Sequence, residues 1–291
     1  MNCIDQVVTE RYAAYHGDCV EVLKGLPEKS IGYSIFSPPF ASLYTYSNSP
    51  RDMGNVRDDA EFFEHLDFLI VELLRVMKPG RNVSFHCMDM PSSKERDGVI
   101  GLKDFPGELL RAFQKHGFIF HAKATIWKDP VTAMQRTKAL GLLHKSVREN
   151  AAMCRMGIPD YLITVRAPGE QDERVTHGAE YPVDLWQKVA SPIWMDINPS
   201  DTLQYRSARE HDDERHICPL QLEVIRRGIM LWTNPGDIVL SPFMGIGSEG
   251  YVAVEMGRRF VGAELKASYF GQAVANLAAA VAKTADLFEA A

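Results

Sequence analysis

The sequence lacks the apolar run of about 20 residues that a membrane-spanning helix requires. Its longest candidate, "AVANLAAAVA", is short and contains Asn276. The N-terminal segment "MNCIDQVVTERYAAY" has no basic stretch followed by an apolar one, which is the pattern of a secretory signal. The five cysteines are scattered and include no CxxC pair, which argues against a disulfide framework and a zinc site. We therefore expect a cytoplasmic protein with no membrane span and no bound metal.

The net charge of −6 argues against a polyanionic partner for the molecule as a whole. The window from His121 to Arg155 departs from that average, because seven basic residues face only two acidic ones, Asp129 and Glu149. The basic residues of this window are Lys123, Lys128, Arg136, Lys138, Lys145, Arg148 and Arg155. Salt screens charges beyond about 10 Å, so a local basic face can still bind nucleic acid. The same residues would equally suit the solvated face of a helix.

The order of strands and helices predicts a large α/β domain with an insertion. A chain of 291 residues with 46% hydrophobic content can form such a globule. Short apolar strands alternate with amphipathic helices in the first third of the chain and again near its end. Between Lys128 and Pro199 this pattern weakens, and only "DYLITV" is typical of a strand. Trp127, Trp186 and Trp194 are expected to pack in the interior.

A glycine-rich turn near the C-terminus indicates a cofactor that contains a nucleoside. Gly245, Gly247 and Gly250 form a G-x-G-x-x-G pattern between the strand "DIVLSPF" and a helix. Such glycines allow a tight turn and bring backbone N–H groups close to a ligand. Glu264 ends the next strand, where its carboxylate could accept hydrogen bonds from ribose hydroxyls. The alternative is that the glycines only let the helix pack on the sheet.

The position of this turn predicts a rearranged sheet. A dinucleotide-binding enzyme carries such a unit first and builds most of its strands from later parts of the chain. Here the chain after Asp237 is long enough for only two strands and two helices. The rest of the sheet must therefore come from the N-terminal part, where the strand "IGYSIF" leads into "SPPF".

The order of "SPPF" first and "SPFMGIGSEG" last resembles the beta class of S-adenosyl-methionine-dependent DNA amino-methyltransferases. The corresponding family motifs are roughly (D/S/N)PP(Y/F/W) and DPFxGSG. The similarity extends to "HGDCVEVLKGLPEKSIGYSIF" and "LRVMKPGRNVSFH". Two positions depart from the family pattern, because Ser241 replaces the usual Asp and "GSEG" lacks the usual Thr. The resemblance implies a circularly permuted, Rossmann-like methyltransferase sheet that is flanked by helices and carries an inserted target-recognition region.

The resemblance also divides the chain into three parts. Residues 1–128 would hold the catalytic motif, residues 129–200 the target-recognition region, and residues 201–291 the cofactor-binding part. Asp18 is expected at the adenine of S-adenosyl-methionine, although it equally suits a helix cap. The residues expected to bind the cofactor are Asp18, Pro219, Gln221, Ser241, Phe243, Gly245, Gly247, Ser248 and Glu264.

The chemistry of amine methylation explains why Ser-Pro-Pro-Phe suits the end of a strand. The exocyclic amine of adenine or cytosine is a poor nucleophile, because its lone pair is delocalised into the ring. Acceptors on its two N–H bonds, the Ser37 side chain and the Pro38 carbonyl, favour the pyramidal nitrogen of the transition state. Pro38 and Pro39 hold the backbone rigidly and add no competing donor. Phe40 would stack on the base after the base leaves the duplex.

Several alternatives remain open from the sequence. The displacement needs no metal, and methylation at cytosine C5 is disfavoured because its thiolate usually lies in Pro-Cys, whereas this chain has only Cys218-Pro219. Within the family, Ser at the first motif position leans toward cytosine-N4 and Asp toward adenine-N6, so both bases stay possible. The chain could instead methylate RNA or a protein glutamine, which share the Pro-Pro motif. It could also bind a nucleotide without catalysis, which Ser241 would favour.

The basic window and the irregular stretch after it are where we expect target recognition. The candidates for phosphate contacts or guanine edges there are Lys128, Arg136, Lys138, Lys145, Arg148 and Arg155. The loop Tyr44–Asn55 is either merely exposed or closes over base and cofactor, with Arg51 and Arg57 adding phosphate contacts. The expected partner is double-stranded DNA, and the family resemblance adds a homodimer.

Overall fold

The computed structural model describes residues 2–39, 59–92, 94–137, 143–179, 181–204 and 219–289. The strands in this part of the chain are β1 (Asp5–Val8), β2 (Tyr12–His16), β3 (Ile31–Phe36), β4 (Met77–Met88), β5 (Met90–Ser92), β6 (Gly101–Lys103), β7 (Ile119–Ile126), β8 (Asp160–Arg166), β9 (Ile193–Trp194), β10 (Ile238–Ser241) and β11 (Arg259–Glu264). The helices are α1 (Cys19–Lys24), α2 (Asp59–Val76), α3 (Lys94–Asp97), α4 (Phe105–Lys115), α5 (Pro130–Thr137), α6 (His144–Asn150), α7 (Val183–Ala190), α8 (Leu222–Trp232), α9 (Ser248–Glu255) and α10 (Ala267–Glu289). Within these described residues, no helix combines the length and the apolar character that a membrane crossing requires.

Nine of the described strands form one sheet in the order β1-β2-β11-β10-β3-β4-β8-β7-β9. The five neighbours from β2 to β4 run parallel to one another. Strand β8 is antiparallel to both β4 and β7, and β1 is antiparallel to β2. β10 and β11, the last two strands of the chain, therefore lie between β2 and β3, which come from the N-terminal part of the chain. This order confirms the circularly permuted α/β sheet that the sequence predicted.

Helices cover both faces of the sheet and enclose two apolar cores. Helices α1, α2 and α4 pack on one face, and α8, α9 and α10 pack on the other. The helical spacing of Phe62, Leu66, Leu69 and Leu73 places all four on the buried side of α2, where they are fully enclosed. Burial of each such side chain contributes about 1.5–3 kcal/mol to stability, before the entropy cost of folding.

The register of β3 and β10 places the two sequence motifs side by side. Tyr33 pairs with Val239 and Ser34 with Leu240, and the Ser34 hydroxyl donates a hydrogen bond of 3.0 Å to the Leu240 carbonyl. Because the strands are parallel, both end at the same edge of the sheet. The Ser-Pro-Pro segment and the glycine-rich turn therefore leave the sheet at adjacent strand ends.

Some elements differ from the sequence expectation. "KPG" is typical of a turn after a helix, but β4 begins at Met77 directly after α2, because Met77 already pairs with Ile31. Strand β8 lies inside the main sheet, so part of residues 129–200 belongs to the scaffold. The short strands β1 and β9 at the sheet edges were not predicted.

The expectation for the tryptophans was correct for one of the three. Trp194 is buried and donates from Nε1 to the Val189 carbonyl at 3.3 Å. Trp127 and Trp186 are 44% and 55% exposed, which contradicts the prediction of interior packing. Trp127 directly follows β7, and Trp186 lies on the solvent side of the amphipathic helix α7, whose Val189 takes the buried position.

Candidate active site

The Ser-Pro-Pro segment leaves the sheet at the carboxyl end of β3. Every residue of β3 is buried, and parallel strands flank it on both sides. Ser37 and Pro39 are half-buried at the edge of the sheet, and Pro38 is buried between them. Phe40 lies outside the described residues. The Ser-Pro-Pro segment therefore starts at the carboxyl ends of parallel strands, which is where open α/β sheets bind ligands.

A glycine-rich loop joins β10 to α9 beside this segment. Gly245 and Gly247 have φ angles of +54° and +86°, which side chains rarely adopt. A Cβ at Gly247 would also lie 3.2 Å from Ala273 of α10. Gly250 serves packing instead, because a Cβ there would lie 2.5 Å from Phe260 and 2.6 Å from Leu277. The first two glycines thus shape the turn, and the third brings α9 onto the sheet.

Glu264 holds the glycine-rich loop from the end of the neighbouring strand β11. Its carboxylate accepts hydrogen bonds of 2.8 Å from the backbone N–H groups of Gly245 and Lys266. Its carbonyl accepts another, of 2.9 Å, from Gly17 at the end of β2. Glu264, the residue expected to bind the ribose, therefore lies where β2, β10 and β11 end. There it also stabilises the glycine-rich turn.

Three side chains expected at the cofactor have buried oxygens that lack a hydrogen-bond partner within the described part of the chain. They are the hydroxyls of Ser241 and Ser248 and the side-chain carbonyl of Gln221. An unpaired buried polar atom costs about 1–3 kcal/mol, so such atoms are unusual in a native fold. Ser241 ends β10 and Ser248 begins α9, on either side of the glycine-rich loop, and Gln221 is the N-cap of α8. These unpaired oxygens fit a polar ligand that would hydrogen-bond to them.

The other residues expected at the cofactor surround the same edge of the sheet. Phe243 packs its ring 5.7 Å from that of Phe36, directly before the Ser-Pro-Pro segment. Pro219 and Gln221 precede α8, and Gln221 is the N-cap of that helix. Asp18 is the N-cap of α1 and accepts a hydrogen bond of 3.1 Å from the Glu21 backbone N–H. The cap role that the sequence left open for Asp18 is therefore present.

A buried glutamate lies in the first turn of α9, in the "GSEG" segment that departs from the family motif. The Glu249 side chain is 4% exposed. Burial, together with the negative charge of Glu264, raises the pKa of Glu249 to about 8. At neutral pH this side chain is therefore mostly a neutral acid next to the glycine-rich loop.

Polar side chains from β4 and β8 extend the site on the other side of Ser37. The Ser37 hydroxyl is 3.2 Å from Nδ1 of His86, and Nε2 of His86 is 3.2 Å from Oδ2 of Asp160. The ammonium of Lys128 lies 2.5 Å from Oδ1 of Asp160. Lys128, expected to contact DNA, thus has its charge directed at a buried carboxylate.

The remaining residues expected to contact DNA are spread over the insertion. Lys145 and Arg148 are exposed on α6, where Lys145 lies 3.5 Å from Glu149. Arg155 is half-buried and donates to the Met156 carbonyl at 3.1 Å. Arg136 lies in α5. Arg51, Arg57 and Lys138 lie outside the described residues, as does the loop Tyr44–Asn55.

Three residues of this region escaped the sequence prediction: His86, Asp160 and Glu249. Two of them carried a signal. Asp160 is a charged residue at the start of the apolar strand "YLITV", and Glu249 lies in the "GSEG" segment, which lacks the usual Thr of the family motif. His86 carried none, because its partners are far away in the sequence and meet it only through the pairing of β3, β4 and β8.

Comparison with known proteins agrees with this geometry. A family model described as DNA methylase, of the N6/N4 type, matches residues 33–275, well over half of the chain. The type II methyltransferase M.BglII of Bacillus subtilis is 24% identical over 260 residues, which are 88% of this chain and 66% of that protein. The chain thus spans just under two thirds of the length of that relative.

Solved structures share the fold. The DNA modification methylase TTHA0409 of Thermus thermophilus, complexed with S-adenosyl-L-methionine, has a TM-score of 0.67 and 23% identity, with 94% of this chain and 96% of that one covered. The cytosine-N4-specific PvuII DNA methyltransferase has a TM-score of 0.68 and 18% identity, with 94% and 90% covered. At these identities the likeness concerns the fold.

Proposed function

The chain belongs to the N6/N4 DNA methylase family, and from this premise we propose that it methylates the exocyclic amine of a base in duplex DNA. The methyl donor is S-adenosyl-methionine, and the target is adenine-N6 or cytosine-N4. The observation that carries the proposal is the pairing of β3 with β10, which puts the Ser-Pro-Pro segment beside the glycine-rich loop. A base and a methyl donor bound at these two segments would meet at one edge of the sheet.

The roles of the catalytic residues follow from the chemistry of the amine. The Ser37 hydroxyl and the Pro38 carbonyl accept hydrogen bonds from the two N–H groups, which favours a pyramidal nitrogen in the transition state. Pro39 keeps the second position free of a backbone donor. Phe40 stacks on the base outside the duplex.

The cofactor residues fit a donor that carries ribose, adenine and amino-acid groups. Gly245 and Gly247 let the backbone approach it, and Glu264 accepts hydrogen bonds from the ribose hydroxyls. The unpaired oxygens of Ser241, Ser248 and Gln221 support a polar ligand at this place. Asp18 at the adenine, Phe243 beside the ring system and Pro219 at the methionine end complete the assignment. When bound, the donor supplies its methyl group as a sulfonium.

Target recognition is assigned to the parts of residues 129–200 that lie outside the main sheet. The exposed residues Lys145 and Arg148 of α6 are suited to phosphate contacts, and Arg155 lies near them along the chain. Residues 1–128 and 201–291 then form the catalytic and cofactor-binding parts of one methyltransferase domain. Arg51, Arg57, Arg136 and Lys138 remain candidates for DNA contacts.

A methyl-transfer assay tests the proposal. The chain is incubated with S-adenosyl-methionine labelled in its methyl group and with whole-genome-amplified DNA, which carries no methylated bases. We expect label in the DNA and a single methylated nucleoside, N6-methyladenine or N4-methylcytosine, by mass spectrometry. Label in RNA or in a glutamine-containing protein instead would identify the alternative substrates, and cofactor binding without transfer to any of them would indicate a non-catalytic module.

Two variants separate catalysis from cofactor binding. Ser37→Ala should lower methyl transfer by about 10²-fold, because one acceptor of the transition state is lost, while the cofactor Kd from calorimetry stays within about twofold of wild type. Glu264→Ala should raise that Kd, because it removes the ribose acceptor and the bonds that hold Gly245 and Lys266. Each variant is the control for the other. Equal loss of binding and rate in both would contradict the assignment.

We also propose that the protein works in the cytoplasm as a homodimer. The scattered cysteines support a reducing compartment, and the four in the described part of the chain form no disulfide. Sedimentation of the purified chain measures the oligomeric state, and a monomer at all concentrations would contradict the dimer.

A further inference from the structure

Three polar side chains from adjacent strands form a line that ends at the motif serine. Ser37 follows β3, His86 lies on β4, and Asp160 begins β8. The Ser37 hydroxyl is 3.2 Å from His86 Nδ1, and His86 Nε2 is 3.2 Å from Asp160 Oδ2. The second contact is within ion-pair distance, but an N–H at His86 Nε2 is not well aligned with the Asp160 oxygen. Such bonds often tighten only when a substrate binds.

The charge state of Asp160 sets the direction of the hydrogen bonds along this line. Asp160 is 3% exposed, and burial alone would raise its pKa. The neighbouring His86 and the Lys128 ammonium outweigh burial and hold the pKa of this carboxyl below its ordinary value. An ionised carboxylate accepts hydrogen bonds and donates none. The ring nitrogen facing Asp160 therefore carries the proton, and Nδ1 presents its lone pair to Ser37.

This direction determines what the Ser37 hydroxyl can do. A hydroxyl has one proton and two lone pairs, so it can act as a donor or as an acceptor. When its proton points at His86 Nδ1, only its lone pairs remain for a substrate. An Asp carboxylate at this position would be an acceptor without any help. A serine needs a partner that takes its proton.

We propose that His86, oriented by Asp160, keeps Ser37 an acceptor for the target amine and takes up the proton that the amine loses; this inference rests on the proposed methylation of a DNA amine. His86 and Asp160 are positioning residues, because they act on the amine through Ser37. Lys128 fixes the far oxygen of Asp160, so that Oδ2 remains directed at the imidazole. The geometry gives Lys128 a role inside the site in place of a contact with a DNA phosphate.

The proton transfer leaves every atom and charge accounted for. The lone pair of the amine nitrogen forms the bond to the methyl carbon of a sulfonium donor while the carbon–sulfur bond breaks and its electrons stay on sulfur. The nitrogen then carries one proton too many, and that proton passes to the Ser37 oxygen as the Ser37 proton passes to His86 Nδ1. The product is a neutral methylated amine, a thioether and an imidazolium paired with Asp160. Solvent receives the proton from His86 afterwards.

The proposal requires an imidazole ring with a free lone pair on Nδ1. An imidazolium has protons on both nitrogens, so it could neither accept from Ser37 nor take up a proton. Among the described residues, the groups that contact the His86 ring in this chain of bonds are Ser37 after β3 and Asp160 on β8, with Lys128 after β7 behind the carboxylate.

One measurement requires no substrate. Nitrogen-15 NMR of the histidine rings in the full chain distinguishes the two neutral tautomers, and we expect His86 to carry its proton on Nε2. Asp160→Asn should shift His86 away from that tautomer, because the amide of Asn can donate to the ring. His65→Asn, on α2, removes a different histidine and thereby identifies signals that do not belong to His86. A neutral His86 with its proton on Nδ1 would overturn the proposal.

The kinetic test uses His86→Asn, which keeps an acceptor near the position of Nδ1 but cannot take up a proton. Single-turnover methylation of whole-genome-amplified DNA should fall about 10²-fold, while the Kd for S-adenosyl-methionine stays within about twofold of wild type. Asp160→Asn should lower the rate at least tenfold, and His65→Asn should leave the rate unchanged. A wild-type rate in His86→Asn would overturn the proposal.

The outcomes distinguish this proposal from the function on which it rests. If the wild-type chain does not methylate DNA, the proposed function fails, and the tautomer of His86 still tests the chain of hydrogen bonds. If the wild type methylates DNA and both variants bind cofactor normally without loss of rate, only the role of His86 and Asp160 fails. The cofactor Kd also shows that each variant is folded.

Discussion

Glu249 is a single residue whose ionisation couples the cofactor site to the stability of the fold. Its carboxyl is enclosed in the first turn of α9, close enough to Glu264 for the two negative charges to repel. Because burial raises its pKa to about 8, folding keeps a proton on Glu249 that the unfolded chain has lost at neutral pH. The fold is therefore stabilised fully at low pH and loses this contribution as the pH rises toward 8.

Glu249→Gln removes this titration, because the amide has nearly the same shape and no charge. Below the ordinary pKa of a glutamate, near 4.5, variant and wild type should be equally stable. Between that value and about pH 8, the free energy of unfolding of the variant should rise relative to that of the wild type by roughly 1.4 kcal/mol per pH unit. Urea unfolding near pH 5 and near pH 8 measures the difference. Glu108→Gln, an exposed glutamate in the first turn of α4, is the matched control and should show no such trend.

The sequence could identify residues whose role depends only on their neighbours along the chain. Ser37 and the glycine pair belong to short motifs, so their position follows from a few neighbouring residues. For Asp18 the sequence left open a contact with the adenine of the cofactor and a helix cap. The structure shows the cap of α1, a role that any Asp before a helix can take. His86 and Asp160 could not be found in this way, because their 3.2 Å contact depends on the antiparallel register of β4 and β8.

Among the elements, α9 is the one whose packing fixes the site most directly. It follows the glycine-rich loop, and its residues Val252 and Ala253 are buried in the core between the sheet and α10. Gly250 allows this close approach, because a Cβ there would overlap the ring of Phe260 and a methyl group of Leu277. The start of the helix, and with it Ser248, is therefore positioned by contact with β11.

Gly250→Ala should destabilise the protein and also weaken cofactor binding. The added methyl group would lie 2.5 Å from Phe260 and 2.6 Å from Leu277, and such overpacking costs about 1–3 kcal/mol. Any shift of α9 would carry Ser248 and the loop with it, so the Kd for S-adenosyl-methionine should rise. Gly271→Ala on α10 is the control, because nothing lies within 4 Å of the added Cβ and the better helix propensity should stabilise by about 0.5–1 kcal/mol. Equal stability of the two variants in urea unfolding would refute the packing role.

Helices and strands could be predicted from the sequence where their own residues define them, and not where pairing with a distant strand defines them. Helix α2 is evident from the sequence because its apolar residues repeat at helical spacing, and β10, α9 and β11 are predicted by one continuous motif. Strand β9 has only two residues, and its pairing with Thr125 and Ile126 of β7 comes from the fold. The membership of β8 in the main sheet also required the structure, because a strand pattern says nothing about which neighbour it will pair with.

The uneven distribution of charge along the chain determines how an acidic protein can approach DNA. The chain carries −6 overall, while the seven basic residues between His121 and Arg155 face two acids. Lys128 is paired with Asp160, whereas Lys123 on β7 and Lys145 and Arg148 on α6 are exposed within the described part of that window. The Lys145–Glu149 pair is solvent-exposed and contributes little, so it does not prevent Lys145 from binding a phosphate.

Salt dependence measures how many of these charges contact phosphates. If Arg148 neutralises one phosphate, Arg148→Ala should weaken DNA binding and reduce the slope of log K against log salt concentration by about 0.9. Lys145→Ala should behave in the same way, and the effects of the two variants should add. The control is Lys78→Ala, which removes an equal charge. Lys78 lies at the start of β4, at the opposite end of the parallel strands from Ser37.

Lys128→Met distinguishes the two roles that have been assigned to that residue. As a phosphate contact, its loss would lower the salt slope like that of Arg148. As the partner of Asp160, its loss should slow methyl transfer while the slope stays at the wild-type value, because its charge is already used inside the protein. Fluorescence anisotropy with one DNA duplex at several salt concentrations, together with single-turnover rates, therefore separates the basic face that approaches DNA from the charges that organise the active site.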